Sequence, residues 1–198
     1  MNINLIYPSI PSPLDRRIPG TTITSCHILK TLAEQIKLQL KQSAKDTPSA
    51  SIWIITAPIE NLIRRLTKQA RSGAPSTNLN IILQLGASAQ DDRWHAASGF
   101  TVTGQPANRQ SDQLSDLLIR QALKVLGRSA ISNPAAAISQ REHSTARLLD
   151  ISISPAVLTT CLYIDNRQNA DLLCKDSGIS RLAAVHNEAL KQYLMLNQ

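Results

Sequence analysis

The sequence predicts an α/β domain: a three-layer sandwich in which a mostly parallel, twisted sheet lies between two layers of helix. Three observations carry that prediction. Short runs of isoleucine, leucine and valine alternate along the chain with segments of helical periodicity. The stretch Asn80–Ala89, N-I-I-L-Q-L-G-A-S-A, is an apolar run closed abruptly by Gly86, Ala87 and Ser88, the signature of a central strand in a parallel sheet. A length of 198 residues suits one such domain, spanning 1–198, better than two.

Taken in order, Ile3, Leu5 and Ile6 form a first strand ending at Pro8, and Pro11, Pro13 and Pro19 keep the chain extended to Gly20. Thr21 to Gln42 reads as a long helix, because Ile28, Leu32, Ile36 and Leu40 recur every four residues. A polar connection leads to the β-branched strand Ile52–Ile55, closed by Ala57-Pro58. Ile59 to Arg71 is the next helix, apolar at Ile59, Leu62, Ile63 and Leu66, and stopped by Gly73, Pro75 and Ser76. The central strand follows.

Asp91–Ser98 is a polar crossing with Trp94 and His95, and Phe100–Thr103 has the alternation of an edge or half-buried strand. Ser111–Gly127 is the clearest helix, with Ser111 as N-cap, Asp112 and Asp116 near its positive end and Gly127 as its stop. Ser129–Glu142 reads as irregular or as a short helix after Pro134, and Arg147–Asp150 as a short strand. Ala156–Ile164 is a strand entered through Pro155. A helical turn over Asn166–Cys174 and a terminal helix over Ile179–Leu196 complete the chain. The sheet so assembled accommodates one antiparallel edge strand.

Composition limits the functional classes. Aromatic residues make up only 3%, so the core is aliphatic. Twenty-one Lys and Arg against fourteen Asp and Glu give a formal charge of +7, which favours an anionic partner. The one local cluster, Arg64, Arg65, Lys68 and Arg71, reads as a basic patch or a solvated helix face. Few aromatics and no helix-turn-helix or RNA-binding string argue against nucleic acid as the partner. Cys26, Cys161 and Cys174 show no paired spacing, which argues against a disulfide framework and a C-x-x-C site. No apolar run approaches the ~18 residues of a membrane span. Met1–Ile10 has no basic segment followed by a long apolar core, which for a whole gene product predicts the cytoplasm or export by another route.

An open α/β sheet places its site at the carboxyl ends of the strands. Beyond Leu85, however, stand only glycine, alanine and serine, with one hydroxyl and no strong base, acid or metal ligand.

The order of segments, joined to several local strings, resembles the zinc-dependent N-acetylmuramoyl-L-alanine amidases, which cut peptidoglycan between sugar and stem peptide. L-I-Y-P-S-I, Leu5 to Ile10, is similar to the strand that ends I-D-P-G-H in that family. Leu32-Ala33-Glu34 falls on its first long helix, and S-I-W-I-I-T with Leu62 and Arg65 is similar to its V-V-L-T-R strand and the helix after it. I-I-L-Q-L-G-A-S-A takes the place of a strand ending S-I-H-A-N-A, and Gly99-Phe100 that of a following G-F. S-P-A-V-L-T-T-C-L-Y-I-D-N, Ser154 to Asn166, matches P-A-V-L-V-E-x-G-F-I-S-N, with Ala170, Asp171, Leu172 and Leu173 fitting downstream. The resemblance spans nearly the whole chain and implies the amidase fold.

The family's chemistry needs a zinc ion on two histidines and a glutamate, with a second glutamate as base. Carried over by position, the first histidine falls on Ile10, its companion aspartate on Tyr7, the glutamate ligand near Thr21, the second histidine on Gly86 and the catalytic glutamate on Thr160. These residues, with Ser88, outline a vestigial cleft that implies no zinc, no other cofactor and no catalytic residue. His27, His95, His143 and His186 are far apart in sequence and form no H-x-x-x-H pair.

Two function classes follow. One is a non-catalytic amidase-like binding module, holding a peptidoglycan fragment or a protein partner. The other is a peptidoglycan hydrolase of altered mechanism, using Ser9, Ser88, Thr160 or Cys161 around the old cleft, with Cys161 and His27 the Cys–His pair to inspect. A histidine nitrogen beside Cys161 or Ser88 discriminates between them. A weaker alternative, a basic nucleic-acid-binding protein, rests on charge alone.

Overall fold

The computed structural model describes residues 1–9, 16–43, 50–72, 78–88, 91–128 and 140–197, the side chains of 140–144 excepted. Ile10, Pro11 and Pro13, most of the polar connection after the first helix, the stop at Gly73 to Ser76, Ala89 and the irregular segment from Ser129 to residue 139 lie outside the described residues.

Five strands form one sheet in the order β2-β1-β3-β5-β4: β1 (Asn2–Pro8), β2 (Ser51–Ala57), β3 (Asn78–Gly86), β4 (Phe100–Gly104) and β5 (Ala156–Tyr163). All neighbours run parallel except β4, which is antiparallel to β5. The run opened by Asn80 is thus the middle strand, flanked by β1 and β5.

Strand alternation divides the core in two. Ile3 and Leu5 of β1, Ile81 and Leu83 of β3, and Val157 and Cys161 of β5 pack on one face against helices α1 (Ser25–Gln42), α3 (Arg109–Leu126) and α6 (Asp176–Leu196). Ile6, Ile82, Ala156 and Leu158 pack on the other face against α2 (Ile59–Arg71) and α4 (Gln140–Asp150), chiefly through Leu62, Leu66, Leu148 and Leu149. The short helix α5 (Arg167–Leu173) links β5 to α6. These are the three layers predicted from the alternation.

Several elements differ in detail from the sequence reading. Helix α1 starts at Ser25 with Thr24 as its cap, the Thr24 hydroxyl accepting from the His27 N–H at 3.2 Å. Helix α3 starts at Arg109, and its cap is Asn108, which accepts from the Ser111 N–H at 3.1 Å. Ser111 is buried inside the first turn, and its hydroxyl accepts from the Ala156 N–H at 3.0 Å, tying α3 to β5. Arg147–Asp150 is not a strand but the last turn of α4. Thr145, Leu148 and Leu149 are buried there at helical spacing, and a face this narrow leaves only an adjacent Leu pair for the eye to read as a strand.

Candidate functional site

At the carboxyl end of the sheet, β3 and β5 fall out of simple register. Gln84 pairs with Thr160, whereas Gly86 pairs with Tyr163, so Leu85 alone faces both Cys161 and Leu162. This is a β-bulge. Leu162 takes a positive φ of 73°, a conformation that suits glycine and strains a bulky residue. The amidase string has glycine at this place; here a leucine holds a backbone form that glycine adopts without strain.

The bulge aims the Tyr163 ring at Gly86. A Cβ on Gly86 would lie 2.8 Å from the Tyr163 Cδ1 and Cε1 atoms, closer than real Cβ contacts. One residue pair earlier, the Gln84 amide donates to the Thr160 hydroxyl at 2.9 Å, both side chains buried. Beyond β3, the Ser88 N–H donates to the Asp165 carboxylate at 2.6 Å. The Ser88 hydroxyl is buried with no hydrogen-bond partner among the described residues.

The crossing from Asp91 to Gly99 is pinned to the same edge. The His95 N–H donates to the Asp165 carbonyl at 2.7 Å, and the Asn166 amide donates to the His95 carbonyl at 3.2 Å. Buried Asn169 accepts from both the Gly99 and the Tyr163 N–H groups, at 2.9 and 3.0 Å. The Arg167 guanidinium lies 5.5 Å from the centre of the half-exposed Trp94 ring, a cation–π contact. His95 Nε2 stands 2.7 Å from the Asp91 carboxylate, and that hydrogen bond holds Asp91 below the usual carboxylate range.

The other predicted cleft positions are not gathered here. Tyr7 is buried in the core beside Thr56, its phenol pushed up mainly by burial, with Cys26 and Glu34 of α1 among the groups that act on it. Thr21 is exposed in the turn before α1, where its hydroxyl donates to the Ile18 carbonyl and accepts from the Ile23 N–H. Ile10 lies outside the described residues. Arg64, Arg65, Lys68 and Arg71 are all exposed on α2, away from this edge, and Arg64 donates to Asn61 at 2.9 Å.

The residue near Cys161 is His186, not His27, which is exposed at the start of α1. His186 Nε2 stands 3.9 Å from the Cys161 sulfur and 3.2 Å from the Thr159 hydroxyl. Its Nδ1 donates to the Leu182 carbonyl at 2.8 Å, and its ring meets Phe100 edge-on at 5.8 Å. Both members of the pair are fully buried under α6. Burial pushes the thiol up to about 12, against a hydrogen bond from Thr159, and pushes the imidazole down to about 4, against the Leu182 bond. A neutral thiol beside a neutral imidazole, sealed from solvent, is a satisfied core pair and not an activated nucleophile. It meets the distance criterion for an altered hydrolase and fails its chemistry.

A zinc ion needs nitrogen, sulfur or carboxylate donors converging on one point. Among the described residues no three His, Cys, Asp or Glu side chains do so. At Gly86 and Thr160 the chain offers no such donor, and the space a side chain at 86 would enter is taken by the Tyr163 ring. The described positions do not fit the metal.

Sequence reading missed Gln84, Tyr163, Asp165 and Asn169. The signal for Gln84 was present: it is the one polar residue within I-I-L-Q-L, and a strand buried on both faces holds such a residue only with a partner. The role of Tyr163 depends on the bulge, which no local pattern announced.

No protein-family model and no curated protein matches the chain. Solved structures do. The amidase CwlD of Clostridioides difficile, determined in complex with the GerS lipoprotein, superposes with a TM-score of 0.67 at 13% identity, covering 98% of each chain. The catalytic domain of CwlV, an N-acetylmuramoyl-L-alanine amidase from Bacillus (Paenibacillus) polymyxa var. colistinus, gives 0.64 at 14% identity over 98% of this chain and 99% of its own. The catalytic domain of the CD27L endolysin, which targets Clostridia difficile, gives 0.61 at 18% identity over 100% of this chain and 98% of its own. The described residues have the fold of these amidases.

Proposed function

We propose that this chain is a non-catalytic amidase-fold domain, a binding module whose carboxyl-edge cleft holds a peptidoglycan fragment or a protein of the cell-wall machinery without cutting it. The observation that carries the reading is the contact of the Tyr163 ring with Gly86. The place from which the second histidine of the amidase string would project is filled, so the change there is more than a lost ligand. The Gln84–Thr160 bond supports the same reading: where the catalytic glutamate of the string would stand, a neutral hydroxyl is already engaged by a neutral amide. Without a metal ligand or a carboxylate base at these positions, no water is brought to a reactive pKa there. Edge features such as Trp94 with Arg167 still offer an aromatic face and a cation to an anionic saccharide or peptide.

The test is elemental analysis of the purified chain after dialysis against zinc, together with incubation on insoluble peptidoglycan. The expected result is sub-stoichiometric zinc, no release of stem peptide and cosedimentation of the protein with the polymer or with a cell-wall protein. Stoichiometric zinc with release of stem peptide sinks the reading.

A further inference from the structure

We infer that the free edge of β2 is a docking strand for an extended, acidic segment of a partner protein. This goes beyond the reading of the carboxyl-edge cleft and does not depend on it, since the surface lies at the amino-terminal half of the sheet.

Among the described residues, β2 pairs only with β1, so it is an edge strand. The Ser51 N–H donates to the Met1 carbonyl, and the Ala57 carbonyl accepts from the Ser9 N–H. Alternation along the strand then turns the N–H and C=O groups of Ile52, Ile54 and Thr56 away from β1, toward the outside of the sheet. Protected edges carry Lys, Pro or inward charges that deter pairing. The strand S-I-W-I-I-T-A has none of these: no charge, no proline, three isoleucines and Trp53, which is 58% exposed. It keeps the properties of a pairing template.

The flank of this edge specifies the occupant. A groove of about 760 Å³ runs between β2, β1 and α2, with Asn2, Asn4, Trp53, Arg65, Lys68 and Gln69 among its walls. The indole offers apolar area, the amides offer hydrogen bonds, and two exposed cations line the helix side. Over Ile59–Arg71 the charges are Glu60 against Arg64, Arg65, Lys68 and Arg71, a surplus of three positive charges. A second copy seated edge to edge would bring its own +7 and its own cationic α2 to the seam, so charge opposes self-pairing. An incoming strand with carboxylates on the side facing α2 is matched instead: its backbone extends the sheet, its apolar side chains continue the face of Ile52 and Ile54, and the stems of its acids cross Trp53 while their carboxylates meet Arg65 and Lys68.

The probe is a labelled synthetic peptide of alternating valine and glutamate, titrated against the full chain at low salt, with fluorescence anisotropy and the emission of the two tryptophans as readouts. A lysine-for-glutamate peptide and a peptide interrupted by proline are the controls. The expected result is binding of the acidic peptide alone, weakened by salt, by Trp53→Ala, and roughly tenfold by the pair Arg65→Glu and Lys68→Glu. All three changed side chains are exposed, so folding is retained; circular dichroism checks this. Absence of binding at millimolar peptide, equal binding of the lysine or proline peptide, indifference to the charge reversals, or a stable dimer by light scattering that buries Trp53 overturns the proposal. Failure here leaves the zinc and peptidoglycan results untouched, and the reverse also holds.

Discussion

The ring of Tyr163 lies against Gly86 so closely that a methyl group at position 86 would sit 2.8 Å from its carbons. Gly86→Ala is therefore expected to destabilise the fold by about 1–3 kcal/mol through overpacking. Combined with Tyr163→Leu, it costs less than the sum of the two single changes, because the smaller side chain frees the space. Urea unfolding of the four members of this cycle measures the coupling, expected at about 0.5–3 kcal/mol. Additive costs would show that the ring yields at no cost.

Leu162 holds a positive φ while its side chain is buried in the core. At an ordinary strand position glycine is worse than alanine by about 0.5–1 kcal/mol. Here both truncations lose the buried side chain, at about 2–5 kcal/mol, but only glycine also releases the backbone strain. Leu162→Gly is expected to be at least as stable as Leu162→Ala, an inversion of the usual order. Thermal or urea unfolding of both variants decides it; alanine clearly ahead of glycine would contradict the strain.

Thr160→Val leaves the buried Gln84 amide without its acceptor and is expected to cost about 1–3 kcal/mol. Replacing both residues, Gln84→Leu with Thr160→Val, removes donor and acceptor together and recovers most of that loss. If the double variant is no better than the single, packing rather than the unmet hydrogen bond sets the cost.

His186 is fully buried, and its folded pKa of about 4 lies below the ordinary 6.5. Between these values the unfolded chain binds a proton that the folded chain refuses. The neutral imidazole's contribution is thus complete above about 6.5 and is lost as pH falls through that value toward 4. The loss is on the order of 3 kcal/mol. His186→Gln is expected to flatten this limb of the stability curve, measured by urea unfolding from neutral pH to pH ~4. An unchanged slope in the variant would move the acid sensitivity to another group.

The layers and the order of elements were readable because they rest on periodicity. The four-residue spacing of Ile28, Leu32, Ile36 and Leu40 and the run Ile81–Leu85, apolar but for Gln84, are local signals that the tertiary fold reinforces. Misreadings fell where two choices satisfy the same local rule. Asn108 and Ser111 can each cap a helix, and only the need of the Ala156 N–H for an acceptor assigns Ser111 to the sheet. At the site, the absence of donors at Gly86 and Thr160 was plain in the sequence. The closing of that space was not, because it depends on a bulge that brings Tyr163 opposite Gly86; nor was the partner of Cys161, a histidine 25 residues away that α6 turns inward.

The strand order also sets a timetable. Strand β3 is synthesised early, yet one of its two neighbours, β5, begins only at Ala156, and β4 pairs with nothing but β5. As the chain leaves the ribosome, β1, β2 and β3 can associate first, but the buried Gln84 and the Gly86 edge stay uncovered until the last third has emerged. Non-local pairing of this kind is slow to form and exposes apolar edges while it waits. The cleft is thus the last part of the sheet to be sealed, and a chain halted before Ala156 presents a three-stranded sheet with two open edges to its surroundings.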